Sequence, residues 1–184
     1  MASFELQLVR CLNEFYEKHA IAAMAYKLPL IRFRAQGFDV YSDSSHYEHY
    51  CAFECKSVYA EEEEKLYFSR YFHVSKGVHQ LDYENSIVER SGRASFLAVE
   101  LRGRRGVRKS AFLVPWRTVI FHYKRGDVGL EPEEITYCPS LEYYKGGYHL
   151  EDDMYKQYVK MISGNPKPEL PRKTAMQKWK NRSR

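Results

Sequence analysis

The sequence has no apolar run approaching the roughly 18 residues that a membrane-spanning helix needs, so none is expected. No basic stretch leads into an apolar one near its start, so no secretory signal is expected either. The four cysteines, Cys11, Cys51, Cys55 and Cys138, form no C-x-x-C pair and no regular spacing. They read as free, reduced thiols of a cytoplasmic protein, associated with the nucleoid if the host is a bacterium or an archaeon. None of the seven histidines falls in an H-x-x-x-H or Cys/His pattern, which leaves them packing or surface roles rather than a zinc site. There is no internal repeat.

The 184 residues, 44% of them hydrophobic, suffice for one domain with its own core. The net charge of +5 is unevenly placed. Pro171 to Arg184 holds six basic residues, Arg172 and Lys173 among them, and no acid, which leaves −1 for the other 170 residues. A second basic cluster is Arg102, Arg104, Arg105, Arg108 and Lys109. Two basic patches on a near-neutral body suit a polyanionic partner, and equally a solubilising loop and a disordered tail.

Leu8, Val9, Leu12, Phe15 and Tyr16 recur at helical spacing and predict a helix over Ser3 to His19. Ile21 to Tyr26, Gln36 to Tyr41 and His49 to Val58 read as strands, the last two joined by a polar turn at Ser42 to Glu48. Gly77 to Ser91 is expected as a helix, Ala94 to Leu101 and Ala111 to Pro115 as strands, and Trp116 to Tyr123 as a short helix. Gly126 to Tyr148 shows no clear period, and Glu151 to Ile162 reads as a last helix. This αβββαβ order predicts an α/β fold, a mixed central sheet flanked by helices.

Three features converge on chemistry. Asp39 interrupts an apolar stretch, and Phe53-Glu54-Cys55-Lys56 follows on the partner strand. Strand side chains alternate, so Glu54 and Lys56 share one face while Phe53 and Cys55 pack on the other. The hairpin can bring Asp39 beside Glu54. Two carboxylates at close range repel, and a divalent cation removes the conflict. Mg²⁺ favours a few carboxylates, waters and phosphate oxygens, and a bound metal lowers the pKa of its water. A nearby lysine orients that water or stabilises charge on the phosphate. An exposed strand face carrying a surface ion pair would show the same residues. Glu5 lies on the apolar side of the first helix, either snorkelling at the helix start or aimed at a metal. Tyr143, Tyr144 and Tyr148 beside Lys145 suit base stacking, a packed core or a dimer face.

Asp39 followed by Ala52-Phe53-Glu54-Cys55-Lys56-Ser57 resembles the catalytic core of the PD-(D/E)XK nucleases. Within them the likeness is to Holliday-junction resolvases of the RecU and archaeal Hjc types. Asn13-Glu14-Phe15-Tyr16, running through Ile21 to Lys27-Leu28-Pro29, is similar to the opening of RecU-type proteins. Phe72 to Gln80, ending Val78-His79-Gln80, resembles the family's His-x-x-Gln-like helix start, and Gly92 to Leu101 its following strand. Gln80-Leu81-Asp82-Tyr83 is faintly similar to the Gln–Tyr motif of nucleases acting on DNA ends, at the wrong spacing.

The resemblance implies a restriction-endonuclease-like core over 1–125; it has no counterpart for Gly126 to Arg184, which reads as a packed extension over 126–165 and a basic tail over 166–184. It implies Asp39 and Glu54 as ligands of Mg²⁺ or Mn²⁺, with the Cys55 carbonyl, and Lys56 as the group positioning the water. Gln80 would contact water or phosphate, and Glu5 would be an auxiliary acid. Lys27, Arg102, Arg104, Arg105, Arg108, Lys109, Arg172 and Lys173 would meet DNA. A homodimer cutting a four-way junction is the implied assembly. RecU-type enzymes carry a long insertion before the catalytic Asp, whereas here only Leu30 to Phe38 separates Pro29 from Asp39. The alternatives are another nuclease of the superfamily, a DNA-binding protein of the same fold that does not cut, and a tyrosine-rich protein scaffold.

Overall fold

The computed structural model describes residues 3–28, 37–59, 64–103 and 109–163. Helix α1 (Phe4–Lys18) places Phe4, Leu8, Cys11, Leu12 and Phe15 on one buried stripe. Strands β1 (Ala23–Lys27), β2 (Val40–Ser44) and β3 (Cys51–Tyr59) follow as an antiparallel meander. Then come β4 (Leu66–Tyr67), α2 (Phe68–Tyr71), the tight hairpin β5 (Val74–Ser75) and β6 (Val78–His79), and helix α3 (Gln80–Ser91). Strands β7 (Ala94–Arg102) and β8 (Ser110–Pro115) lead to α4 (Trp116–Arg125), β9 (Gly129–Leu130) and α5 (Pro132–Thr136). Strands β10 (Ser140–Tyr144) and β11 (Gly147–His149) and helix α6 (Asp152–Ser163) complete the described chain.

The main sheet has seven strands in the order β1-β2-β3-β7-β8-β10-β11. Among the described strands only β3 and β7 pair in parallel, because α3 carries the chain back across the sheet between them. The expected mixed sheet flanked by helices, in αβββαβ order, is therefore present. One face packs Phe53, Phe96, Leu113 and Tyr148 against α1 and α6. The other packs Phe38, Leu97, Val114 and Trp116 against α3 and α4. The α1 residue Asn13 takes the Ala25 carbonyl at 2.9 Å and the Ala25 amide at 2.8 Å, which satisfies backbone groups on the outermost strand. Among the described residues no helix is long and apolar enough to cross a membrane.

Three expectations need correction. Helix α3 begins at Gln80 rather than Gly77, since Lys76 and Gly77 both adopt positive φ (50° and 77°) and close a hairpin no helix can include. Strand β2 begins only at Val40 and runs on to Ser44, where a turn was expected, because β1 pairs along its whole length. Gly126 to Tyr148, for which the sequence assigns no element, holds β9, α5, β10 and most of β11, each of five residues or fewer and so too short to show a period. Tyr148 is fully buried there, which favours the packed-core role for that tyrosine.

Candidate active site

The β2–β3 ladder runs from Ser42↔Cys51 to Val40↔Phe53, and Asp39 stands one residue beyond its end. There its Oδ2 accepts the Cys55 amide at 2.9 Å. This bond fixes the carboxylate beside Glu54. Alternation along β3 turns Phe53 and Cys55 towards α1 and Glu54 and Lys56 towards α3. Lys56 Nζ donates to Glu54 Oε1 at 2.6 Å and lies 4.8 Å from the centre of the Phe72 ring. That aromatic floor holds the ammonium in place.

Gln80, the first residue of α3, reaches the same carboxylate. Its Nε2 donates to Glu54 Oε1 at 2.8 Å and to Glu84 Oε1 at 2.7 Å. Glu84, one helical turn on, is fully buried, and its Oε2 has no hydrogen-bond donor in reach among the described residues. It is the site residue that sequence reasoning missed. The signal was there, since i and i+4 share a helix face, yet the sequence comparison ran from Gln80 only to Tyr83.

Glu5 sits at the other side of Asp39. Its Oε1 is 3.7 Å from Lys27 Nζ, and Lys27 is the β1 residue paired with Val40. Burial works against the Glu5 charge, but hydrogen bonds from Ser3 and its own amide, with Lys27, hold its pKa below the ordinary value. Asp39 goes the other way. Burial raises it, and the Cys55 amide and Lys56 only partly compensate. Burial also raises Glu54 and Glu84; the Asp39 charge adds to the rise at Glu54 and the Glu54 charge to that at Glu84, so the cluster retains a proton at neutral pH.

A third buried carboxylate gives the contrast. Glu100, on β7, receives Ser57 Oγ at 2.7 Å, Tyr148 OH at 3.0 Å and the Arg102 guanidinium, with Lys109 Nζ at 3.7 Å. Burial would raise its pKa, but these donors hold it low. Glu100 has all the donors a buried carboxylate needs, whereas Glu54 and Glu84 share one amide and one ammonium. Arg102 and Lys109, expected at DNA, are both committed to Glu100. Arg104, Arg105, Arg108, Arg172 and Lys173 lie outside the described residues.

Asp39 and Glu54 offer hard oxygen atoms that could hold a cation together with waters. Among the described residues no group of three or more His, Cys, Asp or Glu side chains could enclose a metal. An open depression of about 660 Å³ beside α6, lined by His46, His49, Tyr155 and Lys156, shares no residue with this cluster.

No protein-family profile matches the sequence, and no curated protein sequence matches it. Among solved structures, the chain is similar to Archaeoglobus fulgidus Hjc, a Holliday junction resolvase from an archaeal hyperthermophile. The TM-score is 0.36 and the identity 11%, over 83% of this chain and 98% of that one. A likeness so distant carries no weight for fold or function, which rest on the topology and the side chains above.

Proposed function

We propose that the protein is a Mg²⁺- or Mn²⁺-dependent DNA endonuclease that cuts branched DNA such as a four-way junction. The observation that carries the reading is Asp39 and Glu54 standing with Lys56 beside the fully buried Glu84, whose Oε2 has no hydrogen-bond partner among the described residues. Burying carboxylates with too few donors is costly unless something positive joins them. A divalent cation bound there would activate a water and neutralise the phosphodiester's charge.

The chain's own residues do the rest. Asp39 is pinned by the Cys55 amide and Glu54 by Gln80, so both oxygens are fixed before any ligand arrives. Lys56 orients the attacking water and faces the negative charge that develops on the phosphate. One P–O ester bond breaks as the water oxygen bonds to phosphorus. Glu5 and Lys27 hold the far side of Asp39, and Lys27 meets the phosphate backbone. Preference for a four-way junction rests on the sequence resemblance, and a two-fold pair of chains suits its two symmetric cuts.

The test is cleavage of a labelled four-way junction and a linear duplex, in Mg²⁺ and in EDTA, by wild type and Glu54→Gln. Paired nicks in the junction alone, abolished by chelation and by the substitution, are expected. Equal cutting of linear duplex would remove the junction preference and leave the nuclease. Binding without cutting by wild type would overturn the nuclease.

A further inference from the structure

We infer that the β5–β6 hairpin is a wedge that inserts between strands of the DNA beside the cut. This inference rests on the nuclease reading and adds to it the element that meets unpaired bases.

The hairpin grows directly from the site. Phe72, at one root, lies under the Lys56 ammonium, and Gln80, at the other, holds Glu54. The Gln80 amide donates to the His73 carbonyl at 2.9 Å and closes the base. From there two residues per strand carry the tip roughly 7 Å outward, about two nucleotide rises. Every residue from His73 to Val78 is exposed.

Its side chains have an unusual arrangement. Val74 pairs with His79 and Ser75 with Val78, and cross-strand partners share a face, so the two valines point to opposite faces. They are 63% and 50% exposed. A hairpin lying on the protein would bury one apolar face. This one presents an apolar side chain on both, as suits a blade with something on each side. Side chains that enter between base steps are apolar in this way.

The charge fits the same partner. Between Lys65 and Leu81 there is no Asp or Glu, and Lys76 stands at the apex with no carboxylate partner among the described residues. Its φ of 50° would suit Asn, Asp or Gly better, so the turn holds a cation against local preference. A lysine there reaches a phosphate while the valines meet bases.

The test uses Val74→Thr/Val78→Thr, which keeps strand propensity, and Lys76→Gln, each beside wild type. Binding to a four-way junction carrying 2-aminopurine at the branch point is followed in Ca²⁺ by anisotropy and by base fluorescence. Wild type is expected to raise the 2-aminopurine signal on binding. The double threonine variant should bind about tenfold more weakly, with an unchanged salt dependence and little fluorescence rise. Lys76→Gln should weaken binding to junction and duplex alike and reduce the salt slope by about one. Both variants should melt like wild type. Unchanged affinity and fluorescence in the threonine variant, with wild type still cutting junctions, would overturn the wedge and leave the nuclease standing. A wild type that neither binds nor cuts DNA would remove the nuclease reading first and the wedge with it.

Discussion

Replacing Glu84 by glutamine should make the metal-free protein more stable above neutral pH. Glu84 is fully buried beside Glu54, with only Gln80 to serve both. Burial first, and then the Glu54 charge, push its pKa from 4.5 to about 9. Between those values the folded chain keeps a proton that the unfolded chain has lost. Stability is therefore fully present below pH 4.5 and falls as pH rises through the window, flattening above the folded pKa. Each pH unit is worth about 1.4 kcal/mol per proton, so pH 5 to pH 8 spans ~4 kcal/mol at most. Relaxation of the interior recovers part of that, and about half, ~2 kcal/mol, is the expected loss. The glutamine retains an oxygen for the Gln80 amide and cannot ionise. Urea denaturation in EDTA at pH 5, 6.5 and 8 should show wild type losing more stability than Glu84→Gln, which keeps only the smaller loss that comes from the raised Glu54. The two should coincide at pH 5, with the variant ahead by ~2 kcal/mol at pH 8. Parallel curves, or a variant less stable at pH 8, would refute the reasoning.

The opposite sign is expected at Glu100, whose pKa is held low despite burial. Its stabilisation is present above the ordinary value of 4.5 and lost as pH falls through the lower folded value. Glu100→Gln should cost ~2 kcal/mol at pH 7, reduced from the usual figure for a buried pair by the partial exposure of Arg102 and Lys109. The same urea series reads it, and a neutral effect at pH 7 would contradict the contrast between the two clusters. At Gly129 an added Cβ would stand 2.2 Å from the Leu66 carbonyl oxygen, a backbone atom of the paired strand. Gly129→Ala should therefore lower stability by about 1–3 kcal/mol, seen as a lower melting temperature; an unchanged one would mean that β4 and β9 separate freely.

Much of the frame was legible because strong patterns carried it. The Leu8, Leu12 and Phe15 stripe defines α1, and the unbroken apolar run of β7 marks a central strand buried on both faces. The parity of Glu54 and Lys56 follows from strand alternation alone, and the hairpin brought Asp39 alongside. The rest depended on tertiary partners that no local pattern records. Glu84 lies in a polar helix with Asp82 and Glu89 nearby and reads as solvated until Gln80 and Glu54 are placed against it. The donors of Glu100 come from Ser57, Arg102, Lys109 and Tyr148, up to 48 residues away. Of the hairpin at Val74 to His79, the second strand falls within the helix expected from Gly77 and the first within no expected element, because four paired residues are too few to show a period of two.

The two clusters also say which link of the structure serves which purpose. Glu54 and Glu100 lie on the same parallel pair of strands, where Glu54 stands opposite Leu97 and Glu100 opposite Ser57. Backbone placement therefore does not distinguish them; the side chains that arrive from elsewhere do. Tyr148, from β11, and the two cations close Glu100 into the fold, so the far strands of the sheet make it structural. Among the described residues, Glu54 receives Lys56 from its own strand and Gln80 from α3, and Gln80 is divided with Glu84. A deficit of donors is unfavourable for the ionised carboxylates and is relieved by a proton or by a positively charged ligand. Under the proposed function, the stability given up at Glu54 and Glu84 would be available as affinity for a cation, held where Asp39 and Lys56 could act on what that cation binds.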